Sequence, residues 1–142
     1  MKKLIVPMLA LSLFGLTAFH APAQAASPKS VTYTFTVMDT EGGRSNAAGD
    51  VVLQPLPNGK TLVRIQAKGL QANSQYFLTW STSTGCALET DNTAKTFNHF
   101  TAKSNGNLNF TARLETDLSA IGSIGIRTET GQVLVACAAA TH

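Results

Sequence analysis

Histidine, cysteine and charge are all scarce in this chain, which holds 3 His, 2 Cys and 13% Asp, Glu, Lys and Arg in 142 residues. Few imidazoles exclude the usual multi-histidine metal centres, and two cysteines exclude a thiolate-rich zinc module. Low charge with 44% apolar residues excludes a disordered polyelectrolyte and suits one compact domain. No glycine-rich phosphate loop follows a strand, and one internal histidine leaves no Ser-His-acid arrangement to assemble. Helical periodicity is missing throughout, as are internal repeats.

What is present begins with a leader. Met1-Lys2-Lys3 is basic, Leu4 to Phe19 is largely apolar, and small residues end at Ala23-Gln24-Ala25. These are the parts of a secretory signal peptide, and the apolar stretch is short for a membrane span. Cleavage is expected after Ala25, leaving residues 26–142 as a single exported domain, periplasmic or secreted, without stable membrane insertion. Loss of Lys2 and Lys3 takes the 11 basic residues to nine against 8 acidic ones, so the formal charge of +3 falls to +1. Nine basic residues scattered along the sequence form no phosphate-tracking cluster, so nucleic acid is excluded as an expected partner.

Cys86 and Cys137 both remain after cleavage, 51 residues apart, and reach a compartment where thiols oxidise. A single intramolecular disulfide is the economical reading, since no Cys-x-x-Cys spacing points to redox work.

The periodicity of the mature chain is two, which means strands. Val31, Tyr33, Phe35 and Val37 alternate with Thr32, Thr34 and Thr36. Strands around Gly49 to Gln54 and Thr61 to Lys68 flank Pro55-Leu56-Pro57-Asn58-Gly59, whose Asn-Gly suits a tight hairpin, with the prolines marking the end of an edge pairing. Gln75 to Ser81 puts Tyr76, Leu78 and Trp80 on one face, and Ser81 to Thr96 is the longest irregular stretch. Asn105-Gly106 signals another hairpin between Phe97 to Lys103 and the alternation Leu108, Phe110, Ala112, Leu114. Ile121 to Thr128 and Gln132 to Ala138 complete the pattern. The expected fold is all-β, an antiparallel Greek-key sandwich or flattened barrel of seven to eight strands.

The run Gly49-Asp50-Val51-Val52-Leu53, then Asn58-Gly59, Val63-Arg64-Ile65, Lys68-Gly69-Leu70 and Phe77 resembles the first half of a copper/zinc superoxide dismutase domain. The resemblance continues through Gly85-Cys86, Phe97-Asn98 and Leu134-Val135-Ala136-Cys137, where that family closes a loop-to-strand disulfide. The metal ligands do not carry over. Leu78-Thr79-Trp80 stands where the family has His-x-His, Thr96 where it has the bridging histidine, Arg127-Thr128 near its later copper ligand, and Leu134 in place of its guiding arginine. The Tyr76-x-Leu78-x-Trp80 strand with Gly69-Leu70 and Asn105-Gly106 is also similar to exported β-sandwich domains of anti-sigma factors.

The expectation is therefore a non-enzymatic binding or structural module without a cofactor. Its partner, an unknown protein or small molecule, is expected at the Ser81 to Thr96 loop, with Tyr76, Trp80 and His99 as possible contacts. Homodimerisation stays open. The competing class is a metal-binding protein or degenerate dismutase using His99 with Glu89 and Asp91, a set with one imidazole where such sites usually gather three or four ligands.

Overall fold

The computed structural model describes residues 29–38, 46–86 and 95–140. The leader and its cleavage point, Glu89, Asp91 and His142 lie outside the described residues. Among the described residues no helix is long and apolar enough to cross a membrane.

Alternation sets the strands. In β3 (Lys60–Lys68) Thr61, Val63, Ile65 and Ala67 point inward and are buried, whereas Lys60, Leu62, Arg64, Gln66 and Lys68 point outward. β1 (Val31–Val37), β2 (Ala48–Leu56) and β6 (Leu108–Leu114) follow the same rule. With β4 (Gln75–Ser81), β5 (Lys95–Thr101), β7 (Ser123–Thr128) and β8 (Leu134–Ala139) they form one antiparallel, nearly closed sheet in the order β5-β4-β7-β8-β1-β2-β3-β6. The protein is thus the all-β sandwich or flattened barrel that the alternation implies.

β1 makes the corner. Val31 to Thr34 pair with β2, whereas Phe35 to Val37 pair with β8, so one strand belongs to both faces. Between the faces lie Val51, Leu53, Val63, Ile65, Leu78, Ile124, Ile126 and Val135, all but withdrawn from solvent. Burial of such side chains supplies about 1.5–3 kcal/mol each and is the main term holding the two faces together. The remaining edges, β5 and β6, meet without backbone pairing, and Phe97 and Phe110 fill the seam at 6.2 Å between ring centroids.

Asn58 and Gly59 adopt φ of +65° and +68°, as the hairpin requires. Pro55 lies where β2 has run past Val31, the first paired residue of β1, so its missing N–H falls where the strand has one neighbour only.

One expectation needs correction. Asn105-Gly106 does not close a hairpin, because β5 and β6 occupy opposite ends of the strand order. Gly106 does take a positive φ of +73°, but it serves a close approach: a Cβ there would sit 2.4 Å from the Leu70 carbonyl oxygen. Leu70 N donates to the Gly106 carbonyl at 3.1 Å, zipping the β5-β6 crossover against the β3-β4 crossover. β4 is buried on both faces. Tyr76, Leu78 and Trp80 join the core as expected, but Phe77, Thr79 and Ser81 are also buried, because the chain leading to Cys86 covers the outside of the sheet.

Candidate functional site

The outer surface of β4, β7 and β8 is where the long loop is rooted. Cys86 is bonded to Cys137 of β8, and its backbone takes a positive φ of +52°. Ser123 Oγ donates to the Ser83 carbonyl at 2.6 Å and accepts from Cys86 N at 3.1 Å, so one hydroxyl fixes both sides of the turn. Gly125 keeps the surface low enough for this: a Cβ there would lie 2.9 Å from Thr79 Oγ1 and 3.2 Å from a Leu134 methyl.

Arg127 holds the opposite side. Its Nη2 donates to the Cys86 carbonyl at 2.6 Å and its Nη1 to the Gln132 carbonyl at 2.9 Å. The side chain is buried and its Nε has no partner among the described residues. Burial lowers the Arg127 pKa from its ordinary value, since the charged form loses water, yet an arginine stays protonated. The guanidinium is a buried clamp, joining the Cys86 turn to the β7-β8 connection.

The structure brings two of the expected contact residues, Tyr76 and His99, to one cleft and sets Trp80 apart from it. Tyr76 and Trp80 are 2% and 7% exposed and belong to the core, but Tyr76 also lines the cleft that His99 borders. The Tyr76 hydroxyl accepts from Gln71 N at 3.0 Å, and Lys95 Nζ sits 5.2 Å from the Trp80 ring. His99 is the accessible one: its Nδ1 lies 2.9 Å from Glu129 Oε2, and its ring rests 5.8 Å from that of Phe77. Glu89 and Asp91, its suggested co-ligands, lie outside the described residues. Among the described residues no group of three or more His, Cys, Asp or Glu is placed to hold a metal ion.

His99 and Glu129 border a polar cleft at the end of the barrel. One part, about 650 Å³, is lined by Gln71, Asn73, Ser74, Thr128 and Thr130 among others; an adjoining part of about 350 Å³ includes His99, Phe100 and Thr101. This is a wall of amides and hydroxyls with one carboxylate–imidazole pair, suited to hydrogen bonding and lacking a positioned nucleophile.

Two functional features escaped the sequence reading. The first is Arg127, whose role depends on a loop arriving from 41 residues away. The second is a grouping of cations on the outer face of the β1-β2-β3-β6 sheet, where Lys60, Arg64 and Lys68 share one side of β3 and Arg113 of β6 registers with Leu62. Its signal was available, because residues four apart on a strand share a face.

The fold and its stapled loop define a disulfide-bonded antiparallel sandwich with a polar end cleft. The sequence matches no protein-family model and no curated protein.

Proposed function

We propose that this chain is an exported, non-enzymatic binding or structural module, a superoxide dismutase-like sandwich without the copper/zinc site, working in the periplasm or outside the cell. One observation carries the reading. At the positions where the resemblance would require imidazoles, Leu78 and Trp80 point into the core, Thr96 is exposed, and Arg127 is committed to two backbone carbonyls. The outward side of the same strand offers Phe77 and Thr79, a ring and a hydroxyl, beside Gly125 and Arg127 on β7. A redox copper needs several nitrogen ligands, and a guanidinium is a cation that repels one.

The Cys86–Cys137 bond supports the exported setting, since such bonds persist in oxidising compartments. The rigid sandwich with loops at its ends is the usual way such domains present contacts. Superoxide decay is the functional test. Mature protein supplied with copper and zinc should accelerate it no more than the same free metals; turnover in excess of that control would make the chain an enzyme and end this reading.

A further inference from the structure

We propose that the outer face of the β1-β2-β3-β6 sheet binds an acidic polysaccharide, with Arg64, Arg113 and Lys68 taking its anionic groups and neighbouring amides taking its hydroxyls. The face is built by register. Across the strands one row reads Thr34, Asp50, Gln66, Asn109, the next Thr32, Val52, Arg64, Thr111, and the third Gln54, Leu62, Arg113. Arg64 and Arg113 are therefore diagonal neighbours, about 7–8 Å apart. Lys68 lies four residues along the same strand from Arg64, about 13 Å away.

Two carboxylates border this group, fewer than its four cations, and neither is paired with Arg64, Arg113 or Lys68 among the described residues. Lys60 is paired with Glu115 at 2.6 Å, at one end of the face. Asp50 accepts from Thr34 Oγ1 at 2.8 Å and, registered with Gln66, lies diagonal to both Arg64 and Lys68 without forming an ion pair with either. Among the described residues neither Arg64, Arg113 nor Lys68 has an acidic partner. Guanidinium forks match carboxylate, sulfate or phosphate oxygens with two parallel bonds.

The surroundings choose the ligand. A shallow depression of about 240 Å³ beside Lys68 is lined by Gln66, Asn107, Asn109 and Asp50. Amides that donate and accept side by side suit a polyhydroxylated chain. The span from Arg113 to Lys68 exceeds one sugar ring, which favours a polymer over a monosaccharide. A lipid surface fits less well, because the apolar residues of the face, Val52 and Leu62, are half-buried and offer nothing to insert.

This inference rests on the binding reading by naming its partner class, but it does not involve metal, so the two fail separately. The test is titration of the full mature chain with polygalacturonate, with neutral dextran and phosphatidylglycerol vesicles as alternatives. Saturable polygalacturonate binding should weaken by about tenfold in Arg64→Gln/Arg113→Gln, the equivalent of about 1.4 kcal/mol. The double variant Lys29→Gln/Lys95→Gln, which removes the same charge elsewhere, should bind nearly as the parent does. Matching urea midpoints for all three proteins would establish that folding is unaffected. The proposal is overturned by absence of polygalacturonate binding, by equal weakening in the two variants, by equal affinity for dextran, or by preference for the vesicles.

Discussion

Gly59 and Gly106 have almost the same backbone angle, φ of +68° and +73°, and very different surroundings. Nothing lies within 4 Å of a Cβ added to Gly59, whereas one on Gly106 meets the Leu70 carbonyl at 2.4 Å. Gly59→Ala is expected to cost about 1–2 kcal/mol for the left-handed backbone. Gly106→Ala adds a steric term of about 1–3 kcal/mol, because carbonyl and turn cannot both move. Urea unfolding of the two variants checks the order; equal costs would mean that the crossovers are not in contact. Trp80→Ala, at a core position, should lose about 3–5 kcal/mol, and an unchanged unfolding midpoint would return Trp80 to the surface. Arg127→Met is a finer case. It leaves the Cys86 and Gln132 carbonyls without a donor, at about 1–3 kcal/mol each, but also removes a buried cation whose desolvation opposes folding. A net loss of about 2 kcal/mol is expected, and a gain in stability would show that the clamp is a burden on the fold.

Elements were legible to different depths. β4 and β6 have the limits that alternation suggests, Gln75–Ser81 and Leu108–Leu114, since the period is a local property of the chain. The connection between β5 and β6 was misread because positive φ at a glycine looks the same in a hairpin turn and in a crossover pressed against another loop. Only tertiary contact, here Gly106 against Leu70, tells them apart. Burial of Phe77, Thr79 and Ser81 was hidden for a related reason: the covering chain comes from the turn at Cys86, not from β4 itself. The Cys86–Cys137 bond closes a separation of 51 residues. The double variant Cys86→Ala/Cys137→Ala should lose about 4 kcal/mol, much of the 5–15 kcal/mol typical of a domain. Denaturant unfolding measures it, and a loss below about 1 kcal/mol would mean that Ser123 and Arg127 alone keep the turn in place.

At the scale of the whole molecule, the sandwich arranges residues that are remote in sequence into surfaces of distinct chemistry. One face is clamped by a disulfide and a buried arginine, one end holds the cleft at His99 and Glu129, and the opposite face carries Arg64, Lys68 and Arg113, which form no ion pair among the described residues. The sequence showed the strands and the scarcity of imidazole. The shared face of Lys60, Arg64 and Lys68 was readable from their four-residue spacing on β3, whereas Arg113 joins them only through the register of β6. The proposal made for this disulfide-bonded sandwich is that it serves binding and not metal chemistry. Copper and zinc content of residues 26–142, purified from their own compartment with the disulfide intact and measured again after metal add-back and dialysis, tests that claim most directly. The account predicts far less than one metal per chain in both measurements. Stoichiometric copper or zinc that survives dialysis would contradict it and place His99 in a metal centre.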